Sequence, residues 1–126
     1  MRKSFENTIS KRTPLLKERL TKWRQQPVVT RLEGPTNIPA ARRLGYKAVR
    51  NTIVARVRLS KGRRVRDRPA IGRKPGRNLK RVSPGQPKAI LARNKAQKRF
   101  PNLKPIGSYF VGMDGTDEYF EVILVK

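Results

Sequence analysis

The sequence has no cysteine and no histidine. Without cysteine there can be no disulfide framework and no thiolate metal site. Without histidine the commonest general base and the commonest metal ligand are both missing. Negative charge is scarce too, with eight acidic residues against 32 Lys and Arg. No apolar run approaches the length of a membrane span. Met1-Arg2-Lys3-Ser4 is followed by no apolar stretch, so a signal peptide is not expected and an intracellular location is. Apolar residues make up 36% of the chain, below the roughly 45–50% of ordinary globular domains. That suffices for a small core and leaves part of the 126 residues as loop or extension.

What is present is positive charge. The net charge of +24 makes a compact chain repel itself unless a polyanion neutralises it. The cations are unevenly placed. Residues 37–104 hold 22 basic residues and one acid, Asp67, whereas residues 105–126 hold Lys126 against Asp114, Asp117, Glu118 and Glu121. A single domain is expected, divided into an N-terminal helical part (1–36), a basic motif and strand (37–60), a basic extension (61–86), and a helix with a β-hairpin (87–126).

Thr13-Pro14 reads as an N-cap and first helical residue. Leu16, Leu20 and Trp23 then recur on one helical face, and Pro27 ends the helix. Trp23 on that stripe suits the core or a protein contact better than a platform for bases. Pro39 to Leu44 predicts a short helix stopped by Gly45. Thr52 to Ser60 alternates with period two: Ile53, Ala55, Val57 and Leu59 on one side, Arg56 and Arg58 on the other. Pro87 to Phe100 predicts a helix with Ala89, Ala92, Ala96 and Phe100 on one face and Lys88, Lys95 and Arg99 on another. Residues 106–111 and 118–125 predict two strands joined at Asp114-Gly115.

Residues 61–86 hold ten basic residues, seven of them Arg, with four glycines and three prolines. Guanidinium groups grip phosphate oxygens in pairs and stack on bases. A structureless stretch of this length is usually functional or disordered. It reads as an extension that orders on its partner, reaching roughly 85 Å if fully drawn out at about 3.3 Å per residue. Arg42, Arg43 and Lys47 surround Tyr46, which either stacks on an unpaired base or packs into the core. Arg56 and Arg58 form a cationic strand face. The carboxylates Asp114, Asp117, Glu118 and Glu121 suit turn geometry and surface polarity rather than catalysis. No phosphate-binding loop motif occurs, and neither an enzyme nor a cofactor or metal is expected.

Two stretches resemble a known family. Ala41-Arg42-Arg43-Leu44-Gly45-Tyr46-Lys47-Ala48 leads into the basic strand, and Ser108-Tyr109-Phe110-Val111-Gly112-Met113-Asp114-Gly115 leads into Tyr119-Phe120-Glu121-Val122-Ile123-Leu124-Val125. In this order they look like the archaeal and eukaryotic large-subunit ribosomal protein fifteen of the "e" lineage. The resemblance implies an α+β fold, a small β-sheet with packed helices and long basic extensions ordered on RNA. It implies a structural role in the cytoplasmic ribosome, with large-subunit rRNA and neighbouring ribosomal proteins as partners, no membrane and no homo-oligomer. The RNA-contacting residues it implies are Arg42, Arg43, Tyr46 and Lys47, the strand residues Arg56 and Arg58, and, from the extension, Lys61, Arg63, Arg64, Arg66, Arg68, Arg73, Lys74, Arg77, Lys80 and Arg81. Phe110 stands where the family usually has Trp, and the family continues into a further basic segment beyond the position of Lys126. The same charge would also serve a DNA-compacting, chromatin-type protein, which competition between structured rRNA and duplex DNA would separate.

Overall fold

The computed structural model describes residues 15–67, 71–73, 75–76 and 79–126. Four strands form one antiparallel sheet in the order β1-β2-β6-β5: β1 Val29–Leu32, β2 Thr52–Ser60, β5 Lys104–Met113 and β6 Asp117–Val125. A two-stranded ribbon, β3 Arg64–Val65 with β4 Arg81–Val82, stands apart from it. Three helices cover the sheet: α1 over residues 15–25, α2 Ile38–Arg43 and α3 Lys88–Arg99. No helix among the described residues is long and apolar enough to cross a membrane. The α+β expectation therefore holds.

Alternation along β2 and β6 gives the sheet two unlike faces. On one face Ala55, Val57, Leu59, Phe120, Val122 and Leu124 meet the fully buried Ala92 and Ala96 of α3. Two alanines one turn apart let this helix lie close to the strands. Ala89 and Phe100, on the same stripe, pack against the edge of that cluster with Leu91 and Leu103. The helix opens one residue later than the proline pattern suggests. Pro87 is the N-cap, and its carbonyl accepts from the Ile90 and Leu91 amides at 3.0 and 3.2 Å.

The other face is covered by α1 and the α2 segment. Leu20, Trp23 and Tyr119 form its apolar cluster, and the Trp23 and Tyr119 rings lie 5.2 Å apart. Trp23 is thus a core residue. Two register shifts in β5 place Gly107 and Gly112 under these helices. A Cβ at Gly107 would meet Leu44 at 3.1 Å, and one at Gly112 would meet Leu16 at 3.4 Å. Missing side chains on the strand thus make room for leucines above it.

Two expectations are corrected. Arg56 does not lie on an outward cationic face, because the α1 side of the sheet is covered; it is 9% exposed. Its guanidinium sits 4.0 Å over the Trp23 ring, donates to Gln26 Oε1 at 3.1 Å and faces Glu121 at 3.7 Å. Glu121, expected as surface polarity, is fully buried. Its carboxylate accepts from the Thr36 amide at 2.9 Å and from the Thr36 and Tyr109 hydroxyls. Within the basic 61–86 segment, the described residues Arg64–Val65 and Arg81–Val82 pair as β3 and β4, a pairing extended by the Arg66 amide donating to Lys80 O at 3.0 Å. β1 was absent from the sequence reading; it pairs Val29 with Val57 and Leu32 with Val54 at the sheet edge. The Thr13-Pro14 cap lies outside the described residues.

Burial pulls the Arg56 pKa below its ordinary value, opposed by the Glu121 carboxylate. Burial, aided by the hydrogen bond to Glu121, pushes the Tyr109 phenol well above its usual range. Tyr109 therefore keeps its proton at neutral pH. Because three protein donors other than Arg56 reach Glu121, the two partners are unequal. Glu121→Ala should cost about 3–5 kcal/mol, the range for breaking a buried pair. Arg56→Met, which leaves Thr36 and Tyr109 bonded, should cost distinctly less. Urea unfolding followed by circular dichroism measures both, and equal losses would contradict this ranking.

At the hairpin turn, Asp114 accepts from the Asp117 and Thr116 amides at 2.7 and 2.9 Å and pairs with Arg24 at 3.1 Å. The Asp117 amide foremost, then the Thr116 amide, holds its carboxyl below the ordinary value against the opposing effect of burial. A depressed folded-state pKa stabilises above the unfolded value, about 3.9, and is lost as pH falls through the folded one. Asp114→Asn should therefore flatten the decline of stability below about pH 4. An unchanged acid limb in pH-dependent melting would rule this out.

Candidate nucleic-acid interface

The cations collect in two places. The first is built on α2. Asn37 caps this helix, its side chain accepting from the Ala40 amide at 3.2 Å, and Pro39 fits the first turn. Gly45 at φ +89° ends it in the left-handed region that glycine adopts freely. The chain then folds back, with the Tyr46 amide donating to Ala41 O at 3.0 Å. Arg42 and Arg43 lie exposed in the last turn, Lys47 is exposed just beyond, and Tyr46 is half-buried. Tyr46 joins neither buried apolar cluster. A groove of about 560 Å³ runs beside it, lined also by Gly34, Pro35, Ile38, Arg42, Lys47 and Ala48.

The second is a cleft of about 690 Å³ between α3 and the chain leaving β2. Lys61, Arg63 and Arg64 line one side and Lys88, Lys95 and Lys98 the other, with Leu59 and Leu91 at its floor. Lys88 is paired with Glu118, so its charge is partly spent. Lys61 is tied down as well, its amide donating to Thr116 O at 2.8 Å and its ammonium to Asp114 O. The remaining four cations carry no acidic partner among the described residues. Cations this close together without counter-charge repel one another, and a polyanion in the cleft would relieve that repulsion.

The described residues contain no group of His, Cys, Asp and Glu able to hold a metal. Each hairpin carboxylate seen in an ion pair has a structural partner: Asp114 with Arg24, Glu118 with Lys88 and Glu121 with Arg56. What remains is a folded body presenting Arg- and Lys-lined concavities, the chemistry of a backbone-reading nucleic-acid surface. A model of the family described as Ribosomal L15 (Ribosomal L15e) matches residues 2–126. The chain belongs to this family.

The large ribosomal subunit protein eL15 of Metallosphaera sedula is 46% identical over 112 residues, covering 88% of this chain and 52% of that protein. The protein of the same name from Methanocorpusculum labreanum is 44% identical over 112 residues, 88% of this chain and 58% of its own length. The chain thus spans about half the length of these curated relatives. The resemblance carried by the Ala41–Ala48 and Ser108–Val125 stretches is borne out.

Within this Ribosomal L15e chain, the residues expected at the interface divide into groups. Arg42, Arg43, Tyr46 and Lys47 gather on one knuckle. Lys61, Arg63 and Arg64 line the cleft. Arg66, Arg73, Lys80 and Arg81 are exposed along the ribbon segment. Arg58 is half-buried and donates to Arg24 O at 2.8 Å, which ties β2 to the end of α1. Arg56 is turned inward and separated from all of these. Arg68, Lys74 and Arg77 lie outside the described residues. Three further cations line the cleft, Lys88, Lys95 and Lys98, none of them among the RNA-contacting residues expected from sequence. Their signal was available: they follow helical spacing on the side of α3 flanking its alanine stripe.

Proposed function

We propose that this chain is a structural constituent of the large ribosomal subunit, binding and stabilising large-subunit rRNA, with no catalytic role. It acts in the cytoplasmic ribosome, beside other ribosomal proteins. The observation that carries the reading is membership of the Ribosomal L15e family in a chain whose free cations converge on a cleft and a knuckle. Curated relatives bearing the name of a large-subunit protein support it.

The physical role follows from the charge. rRNA phosphates take the place of the missing counter-charge, and each neutralised phosphate releases condensed cations. The sheet and its helices supply a rigid body that fixes where Arg42, Arg43, Lys95, Lys98 and the ribbon cations stand relative to one another. Such contacts read backbone and helix shape more than sequence. The pairing of Arg64–Val65 with Arg81–Val82 brings the two ends of the basic segment side by side.

Co-sedimentation tests the assignment: the chain should travel with large subunits at moderate salt, and failure to do so refutes it. A finer expectation concerns individual cations. Against an rRNA fragment, log affinity should fall with log salt, and Lys95→Ala or Arg42→Ala should each lower the slope by roughly 0.7–0.9. Arg56→Met should leave the slope untouched while changing the melting temperature. A slope change with Arg56→Met as large as that with Arg42→Ala would mean the buried guanidinium reaches RNA after all.

A further inference from the structure

The groove beside Tyr46 differs from the α3 cleft in having an aromatic wall. Its volume of about 560 Å³ falls within the roughly 300–1,000 Å³ of small-ligand sites. Pro35, Ile38 and Tyr46 give it apolar and aromatic surface, and Arg42 and Lys47 stand at its rim. Ile38 is left 49% exposed there, an apolar side chain at the mouth of a cationic site.

Both walls are fixed before any ligand arrives. On the 34–38 side, the amide and hydroxyl of Thr36 are held by the buried carboxylate of Glu121, 85 residues away in sequence. On the 42–48 side, Leu44 presses onto the sheet over Gly107. The Tyr46 amide is bonded back to Ala41. A concavity whose walls are pinned avoids the ordering cost that a flexible loop would incur on binding.

An unpaired base needs an aromatic or apolar face to cover its own, and cations for the phosphates on either side. Bases within a duplex are already stacked, so a helical segment could use only the cations. Building on the RNA-binding reading above, we propose that this groove receives one unpaired nucleotide of the bound RNA. Its base lies against Tyr46, its flanking phosphates meet Arg42 and Lys47, and Glu121, through Thr36, is the positioning residue that holds the groove in shape.

The test uses the full chain and two RNA hairpins differing only by a single bulged 2-aminopurine. The bulged hairpin should bind more tightly, with its fluorescence quenched on binding as the base stacks. Tyr46→Ala should erase that preference, a loss of roughly tenfold or more that falls on the bulged hairpin and far less on the paired one. Tyr46→Trp should retain it. Thr36→Val, which touches no RNA in this arrangement, should reduce the preference without altering affinity for the paired hairpin. Equal affinity for the two hairpins overturns the nucleotide site while leaving RNA binding intact, as does a Tyr46→Ala loss shared equally by both. If neither hairpin binds at moderate salt, the RNA-binding reading itself fails.

Discussion

Scarcity of negative charge governs this structure. With eight acidic residues in the chain, each carboxylate placed inside the body is a strong attractor for surrounding cations. The three ion pairs among the described residues all use acids of the β5–β6 hairpin, and each fastens a different element. Asp114 takes the end of α1 through Arg24, Glu121 takes β2 through Arg56, and Glu118 takes the start of α3 through Lys88. The hairpin is therefore an anionic hub in a cationic protein. The first and third of these pairs are partly open to solvent and individually weak; the second is dry, and its geometry decides how the helices on that face are arranged.

The same scarcity explains the binding surfaces. With the hairpin acids engaged internally, the exposed cations of α2 and the ribbon, and Arg63, Arg64, Lys95 and Lys98 of the α3 cleft, form no ion pair among the described residues. Folding concentrates them rather than dispersing them, because α3 must lay its alanine stripe on the sheet and so carries Lys95 and Lys98 toward Lys61, Arg63 and Arg64. Packing on one side of the helix thereby determines electrostatics on the other.

Much of the fold was legible. Period-two alternation located β2 to the residue, and the small-residue stripe of α3 marked its buried side. The two motif stretches identified the family. What could not be read was depth. Arg56 and Glu121 sit in strands where alternation assigns a face but not what covers it, and covering by α1 is a tertiary fact. A charge opposite a charge in paired strands looks the same in sequence whether wet or dry. The β3–β4 ribbon escaped notice because two-residue strands carry no periodic signal, and β1 because four residues beside a proline barely do. At the candidate site, composition pointed to the right segments yet not to their grouping, which depends on Leu44 finding Gly107 and Thr36 finding Glu121.

The pairing of Arg56 directly across from Glu121 has a bearing on how the sheet assembles. Sliding β6 by one position against β2 would send Glu121 to the opposite face, among Val57 and the alanines of α3, and leave Arg56 under Trp23 without its carboxylate. Two buried charges would then lack their partner, at a cost of several kcal/mol. Purely apolar strands of this length tolerate misalignment far better. The buried pair thus penalises frame-shifted sheets that hydrophobicity alone would accept.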